Sequence, residues 1–106
     1  MNGISYYDLK KKGDVNIIDI RDSYTYNLGH IKKSKNIPYY SLLANYNMYL
    51  NKEDTYYLYC DYGKQSHEIS DRLNSFGYKT FYIIEGYMDI VKTVSYNNLT
   101  LQTILR

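Results

Sequence analysis

A single cysteine, Cys60, opens a short polar loop between a strand-like segment and a helix-like segment. Residues 55–59 read TYYLY, an aromatic run opened by a β-branched residue that predicts a buried strand. Further on, Ile69, Leu73 and Phe76 are spaced so that they share one face of a predicted helix. A thiol between a strand end and a helix N-terminus is suited to nucleophilic chemistry. The unpaired N–H groups and the dipole of the helix favour an anion there, and the thiolate is the reactive form.

The loop also has the composition of an anion-binding site. Gly63 permits a tight turn in which successive N–H groups face inward, and Lys64 adds a positive charge. Ser66 is predicted to cap the helix, and Gly77 to end it. The residues alone leave a second interpretation open, in which Cys60 is a small buried side chain at the end of a core strand. The candidate site is Cys60, Asp61, Tyr62, Gly63, Lys64, Gln65 and Ser66.

Length and composition restrict the class of protein. The chain has 106 residues, which predicts a single domain over residues 1–106, and a hydrophobic share of 44% is ordinary for globular proteins. We expect no membrane helix, because no apolar run approaches about 18 residues, and no signal peptide, because no basic segment precedes an apolar one. One cysteine cannot form an internal disulfide, so a cytoplasmic location is expected.

A net charge of +2 is too small to indicate nucleic acid as a partner. The 16 tyrosines would allow a stacking platform for single strands, but they are scattered along the chain. Isoleucine, asparagine and lysine are abundant as well, so a general compositional bias is the simpler explanation.

Strand-like and helix-like segments alternate along the chain. Strands are predicted at 15–20, 36–37, 55–59 and 80–84, and helices at 5–12, 22–28, 39–46, 66–76, 87–94 and from Asn97 or Asn98 to 105. This order predicts an α/β fold with three layers, a central, mostly parallel sheet of four to five strands with helices on both faces. Ligands bind such sheets beyond the carboxyl ends of the strands. Asp19, Arg21, Cys60 and Gly86 are therefore expected on one rim.

Several motifs occur in a characteristic order. They are Asp19-Ile20-Arg21, Gly29-His30-Ile31, Asn36-Ile37-Pro38, Leu58-Tyr59-Cys60 with Gly63 and Ser66, Leu73, Gly77-Tyr78 and Glu85-Gly86. Together they resemble the rhodanese-like sulfurtransferases in their single-domain form, over nearly the whole chain. The loop is similar to the family's active loop, Cys-x-x-Gly-x-Arg-Ser, at every specified place except one.

The chain departs from the family pattern at three places. Gln65 stands where the family usually has arginine, residues 32–34 read KKS instead of Pro-Gly-Ala, and Glu85-Gly86 replaces a glycine pair. Glutamine offers a neutral amide in place of a permanently charged fork of donors, so recognition of thiosulfate should be weaker than is usual in the family. Lys64, and Arg21 if it reaches the rim, would compensate.

The resemblance implies sulfur transfer through a persulfide on Cys60. The donor would be thiosulfate or another sulfur-containing anion or persulfide, and the acceptor cyanide, a thiol or a protein. Residues 61–66 and Arg21 would bind the substrate, while Asp19, His30 and Gly86 would support the site. No metal or organic cofactor is implied.

Two other functions are consistent with a cysteine loop. Cysteine phosphatases and arsenate reductases have related folds, but their loops are one residue longer and end in an arginine, which neither Gln65 nor Ser66 supplies. A non-catalytic or carrier domain, which accepts persulfide from a protein or only binds a partner, is favoured by the change at Gln65. His30 is expected to be structural, and His67 to face outward.

Overall fold

Five parallel strands form the centre of the computed structural model, which describes residues 2–97 and the side chains of residues 2–92. The strands are β1 (Gly3–Ile4), β2 (Asn16–Asp19), β3 (Lys35–Asn36), β4 (Thr55–Tyr59) and β5 (Lys79–Ile83). They are arranged in the order β1-β5-β4-β2-β3, and every neighbouring pair is parallel. The predicted α/β fold with a parallel sheet is confirmed.

Helices cover both faces of this sheet, and the described residues contain five of them. They are α1 (Tyr6–Lys10), α2 (Ser23–Leu28), α3 (Tyr39–Tyr49), α4 (Lys64–Ser75) and α5 (Tyr87–Asn97). Leu42 of α3 and Leu73 of α4 belong to one buried cluster, whereas Leu9 of α1 and Ile90 of α5 belong to a second cluster. The two clusters correspond to the two covered faces that a parallel sheet requires.

The central strand β4 supplies side chains to both clusters. Tyr56, Leu58 and Cys60 belong to the cluster with α3 and α4, and Tyr57 and Tyr59 to the cluster with α1 and α5. This alternation follows from the two-residue period of a strand. It places the thiol of Cys60 on the face covered by α4, the helix that begins just after the loop.

Side-chain caps begin α1 and α2, whereas the start of α4 differs from the prediction. The side chain of Ser5 accepts a hydrogen bond from the Asp8 N–H at the start of α1, and Asp22 does the same for Thr25 at the start of α2. The prediction that Ser66 caps the helix after the Cys60 loop is wrong. The helix begins at Lys64, its cap residue is Gly63 in a left-handed conformation, and Ser66 lies in the first turn.

Other element boundaries differ modestly from the predictions. The edge strand β1 was not predicted, because two residues are too few to show a period. Helix α3 extends three residues beyond the predicted end, across a kink at Asn45 where φ is −134°. Helix α4 ends where expected, with Gly77 at φ +97°. The structure describes nothing beyond Asn97, so the closing helix predicted from Asn97 or Asn98 lies outside the described residues.

In the part of the chain that the structure describes, no helix is long and apolar enough to cross a membrane.

Tyr59, the residue before Cys60, anchors the end of β4. Its side chain is fully buried, and its hydroxyl oxygen accepts a hydrogen bond from the Ile31 N–H at 3.0 Å and lies 3.2 Å from Ser34 Oγ. Burial raises the pKa of Tyr59 above its ordinary value of 10.0, and the nearby negative charge of Asp19 adds to the increase.

Replacement of Tyr59 by phenylalanine should therefore have a pH-dependent effect on stability. At neutral pH, Tyr59→Phe should lower the free energy of unfolding by about 1–3 kcal/mol, because the Ile31 N–H loses its acceptor in a buried place. Above pH 10 the tyrosine ionises in the unfolded chain but not in the folded one, so wild-type stability falls as pH rises. The gap between the two proteins should thus narrow in urea unfolding at increasing pH. Tyr24→Phe, at an exposed residue, is the control; a gap that stays constant would contradict this account.

Candidate active site

The sulfur of Cys60 accepts hydrogen bonds from the backbone of its own loop. The Gly63 N–H donates to Sγ at 3.2 Å and the Ser66 N–H at 3.3 Å, while Ser66 Oγ lies 3.4 Å from the sulfur. Gly63 is the cap residue of α4 and Ser66 its third residue, so Sγ takes the place of a capping side-chain oxygen. This explains why Ser66 is not the cap. These donors lie at the positive end of a helix dipole, where negative charge is favoured.

Glycine is required at residue 63 for two reasons. Its φ of +90° is one that side chains with a Cβ rarely adopt, and a Cβ built there would approach the Ile84 carbonyl oxygen to 2.8 Å. The left-handed turn directs the Gly63 N–H onto the sulfur. Within the described residues, the N–H groups of Lys64 and Gln65 in the next helical positions donate to no protein acceptor. These amides are available to an anion.

Helix α5 holds the loop from the other side. The Tyr87 N–H donates to the Cys60 carbonyl oxygen at 2.8 Å, and the Met88 N–H donates to the Asp61 carbonyl oxygen at 3.1 Å. Gly86 permits this contact, since a Cβ at that residue would collide with the backbone of Asp61 and Tyr62. The carbonyl groups at the start of the loop thus face α5, while the amides of Gly63 and Ser66 face the sulfur.

Arg21 is engaged by carboxylates beneath the loop. Its guanidinium binds Asp19 at 2.7 Å and Asp61 at 3.2 Å, and also donates to the Gly29 carbonyl oxygen at 2.7 Å. Burial would lower the pKa of Arg21, but the hydrogen bonds and the charge of Asp19 outweigh it and raise that pKa above its ordinary value. The ring of Tyr87 covers the guanidinium, with its centroid 4.1 Å from Cζ. These partners make Arg21 a support for the loop more than a free charge for a substrate.

A cavity of about 420 Å³ opens beside Cys60. Its walls are residues 20–22 after β2, residues 38–41 at the start of α3, and residues 60–62 with 64–65 from the loop and α4. The structure therefore brings Arg21, Asp61, Tyr62, Lys64 and Gln65 together around the cysteine. Cys60 itself is only 4% exposed, so a reactant must enter this cavity to reach the sulfur.

The two histidines lie outside the walls of this cavity. His30 stacks on Tyr26 at 3.7 Å between ring centroids, and its Nδ1 lies 2.8 Å from the Tyr26 carbonyl oxygen. His67 is half exposed, stacks on Tyr82 and lies 3.4 Å from Asp71. These contacts hold His30 against α2, and His67 lies at the surface. Among the described residues, no group of three or more His, Cys, Asp and Glu side chains could hold a metal ion.

Two parts of the site were not predicted. Tyr39 and Tyr40 line the cavity because α3 begins at the same rim, and Tyr87 covers Arg21 from α5. The predicted short strand at residues 36–37 could have indicated this place for Tyr39. A chain that leaves the carboxyl end of a parallel strand starts at the end of the sheet where ligands bind. The side of the sheet on which it passes depends on the strand order, which the sequence does not specify.

The chain is similar to one known protein family and to several solved structures. The family model described as "Rhodanese-like domain" matches residues 5–92. A protein from Staphylococcus saprophyticus is 30% identical, with a TM-score of 0.78, over 84% of this chain and 92% of its own. A rhodanese-like domain protein from Staphylococcus aureus is 28% identical, with a TM-score of 0.75, over 83% and 89% of the two chains.

More distant similarity extends to the human single-domain sulfurtransferase TSTD1. It is 20% identical, with a TM-score of 0.73, over 87% of this chain and 96% of its own, and this likeness concerns the fold alone. A search of curated proteins gives no significant match.

The contact between Gly86 and the loop can be tested by adding one methyl group. Gly86→Ala should lower the free energy of unfolding by about 1–3 kcal/mol, because the added Cβ displaces the loop backbone from α5. It should also slow alkylation of Cys60 in a thiol-trapping assay, or accelerate it if the loop opens. Asn47→Ala, at an exposed residue of α3 outside the cavity, is the control. Unchanged stability and alkylation in Gly86→Ala would contradict the contact.

Proposed function

Because the chain belongs to the rhodanese-like domain family, we propose that it transfers sulfane sulfur from thiosulfate or a persulfide donor to a thiophilic acceptor through a Cys60 persulfide. The observation that supports this most is the position of Cys60 Sγ. It accepts two backbone hydrogen bonds at the N-terminus of α4 and also lines an open cavity. A cysteine that served only as core filling would need neither feature.

In the first step, the Cys60 thiolate attacks the outer sulfur of thiosulfate. A new S–S bond forms on Cys60, the S–S bond of thiosulfate breaks, and its electron pair leaves with sulfite. Covalent catalysis of this kind divides one difficult transfer into two easier steps. The N–H groups of Lys64 and Gln65 would receive the negative charge on the departing group.

In the second step, an acceptor removes the outer sulfur of the persulfide. Cyanide attacks that sulfur, the S–S bond breaks with its electron pair on Cys60, and thiocyanate leaves. A cellular thiol would play the same part. The Gly63 and Ser66 N–H groups stabilise the thiolate that is released. The cycle uses no cofactor, and the free thiol that it needs fits a reducing location such as the cytoplasm.

A carrier or interaction domain is the second candidate function. The cavity offers little fixed positive charge for a small dianion, because Gln65 is neutral and Arg21 is bound to Asp19 and Asp61. A domain that accepts persulfide sulfur from a protein would need the Cys60 loop but not an arginine. A phosphatase is disfavoured, because the end of the loop has no arginine to bind three oxygens of a phosphate.

Sulfur transfer should depend entirely on Cys60. We expect purified protein with thiosulfate and cyanide to form thiocyanate, and Cys60→Ser to form none above background. Mass spectrometry after exposure to thiosulfate should show the mass of one added sulfur atom, which must be on the sole cysteine. A wild-type protein that gains no sulfur from thiosulfate or from any persulfide would refute the proposal. Sulfur gained only from a protein donor would favour the carrier.

Restoring a charge at residue 65 should improve the use of thiosulfate. Gln65→Arg should raise kcat/KM for thiosulfate about fivefold, because a charged donor gains about 1 kcal/mol over a neutral amide. Asn47→Arg is the matched control, since it adds the same charge to an exposed residue in the C-terminal half of α3, outside the cavity. An equal effect of both variants, or none from Gln65→Arg, would show that Gln65 does not limit anion binding.

A further inference from the structure

The charges around the cavity are unusual for a site that must bind a dianion. Four charged side chains line it, namely Arg21, Asp22, Asp61 and Lys64. Two are acidic, and the guanidinium of Arg21 is already shared between Asp19 and Asp61. Among the described residues, Lys64 is the lining cation that has no ion-pair partner. The side chains of the wall therefore bring no net positive charge to a substrate.

Asp61 is the acidic residue next to the nucleophile. It follows Cys60 directly, and 39% of its side chain remains exposed at the cavity. Its Oδ1 is held 3.2 Å from Arg21 Nη1, and its carbonyl oxygen is bound to α5. The carboxylate is thus fixed in the loop and cannot simply turn away when an anion enters.

The walls and the size of the cavity favour a substrate with an organic body. Tyr39, Tyr40 and Tyr62 line it together with Ile20 and Pro38, and the first two rings meet edge to face at 5.0 Å. A volume of about 420 Å³ lies within the range of about 300–1,000 Å³ that is usual for sites of organic ligands. Aromatic walls contribute binding energy to carbon-containing groups, which thiosulfate does not have.

We propose that the physiological donor is an organic hydropersulfide with at most one negative charge, and that Asp61 is a specificity-determining residue that disfavours thiosulfate. This inference rests on the proposed sulfur transfer through Cys60. The free N–H groups of Lys64 and Gln65 at the start of α4 can receive one negative charge. The second charge of thiosulfate has only Lys64 as an unpaired cation in the described wall, and it also meets the Asp61 carboxylate.

The transfer from such a donor is balanced without any further reactant. The Cys60 thiolate attacks the outer sulfur of R–S–SH and forms a new S–S bond. The S–S bond of the donor breaks with its electron pair on the departing R–S⁻, and the proton stays on the transferred sulfur. Cys60 then holds the same persulfide that thiosulfate would produce.

The test compares two donors with the wild-type protein and Asp61→Asn. The donors are thiosulfate, which carries two negative charges, and cysteine hydropersulfide, which carries at most one net negative charge. Asparagine keeps an oxygen for Arg21 but removes the charge. Because Coulomb energy is proportional to the charge of the donor, a gain of about tenfold in kcat/KM for thiosulfate corresponds to at most about threefold for the hydropersulfide. We also expect the wild-type protein to prefer the hydropersulfide.

Asp14→Asn is the matched control. It removes the same charge just before the amino end of β2, whereas Cys60 lies just after the carboxyl end of β4. It should change neither donor's kcat/KM. Equal gains for both donors in Asp61→Asn, or a wild-type preference for thiosulfate, would overturn the inference while leaving sulfur transfer intact. Failure of both donors to form a persulfide on Cys60 would instead refute the proposed function.

The salt dependence of the wild-type protein and of Asp61→Asn gives a second measurement. Salt screens the repulsion between Asp61 and a dianion, so the gain of Asp61→Asn over the wild-type protein in kcat/KM for thiosulfate should shrink as ionic strength increases from about 0.01 to about 0.1 M. A gain that does not change with ionic strength would overturn the role assigned to Asp61.

Discussion

The buried guanidinium of Arg21 connects the three parts of the chain that make the site. It binds Asp19 at the end of β2, the Gly29 carbonyl oxygen at the end of α2, and Asp61 in the cysteine loop. The side chain of Asp19 is fully buried, and Arg21 is the cation that pairs with it. Removing one member of a buried ion pair leaves the other uncompensated, at a cost of about 3–5 kcal/mol. The position of the cysteine loop and the packing at the carboxyl end of β2 therefore both depend on the contacts of Arg21.

The loop between β4 and α4 separates its donors from its acceptors. The carbonyl oxygens of Cys60 and Asp61 bind the first turn of α5, and the N–H groups of Gly63 and Ser66 bind the sulfur. Two glycines make this separation possible, since Gly63 adopts a left-handed conformation and Gly86 allows α5 to touch the loop. A preorganised set of donors needs little rearrangement when negative charge moves on and off the sulfur. The architecture of the site thus follows from backbone geometry more than from charged side chains.

Periodicity and turn chemistry were sufficient to predict most of the fold. The alternation of apolar runs revealed β2, β4 and β5 and the helices between them, and Gly63 marked the turn of the loop. The cap of α4 was misassigned because a rule based on side-chain oxygens does not anticipate a sulfur in that position. The engagement of Arg21 by Asp61 could not be predicted either. It arises because β2 lies beside β4 in the sheet, and strand order is a property of the tertiary structure.

For Tyr39 and Tyr40 too, the sequence predicted the local structure but not the position in the folded protein. Their sequence indicated a helix start after Pro38, and the structure confirms one. Their place in the wall of the cavity depends on β3 pairing with β2, the neighbour of the strand that carries Cys60. Local signals therefore predicted Cys60 and its loop as the candidate site, whereas the other walls of the cavity depend on how the strands assemble into the sheet.

The outer strands of the sheet have a consequence for the behaviour of the protein at high concentration. Both β1 (Gly3–Ile4) and β3 (Lys35–Asn36) contain only two residues, and β3 includes a lysine. Long, flat strands at a sheet margin serve as templates onto which other chains can add, and short margins with a charged side chain discourage such growth. The longer strands β4 and β5 lie inside the sheet with neighbours on both sides. This arrangement should protect a tyrosine-rich chain against amyloid-like self-association while it remains folded.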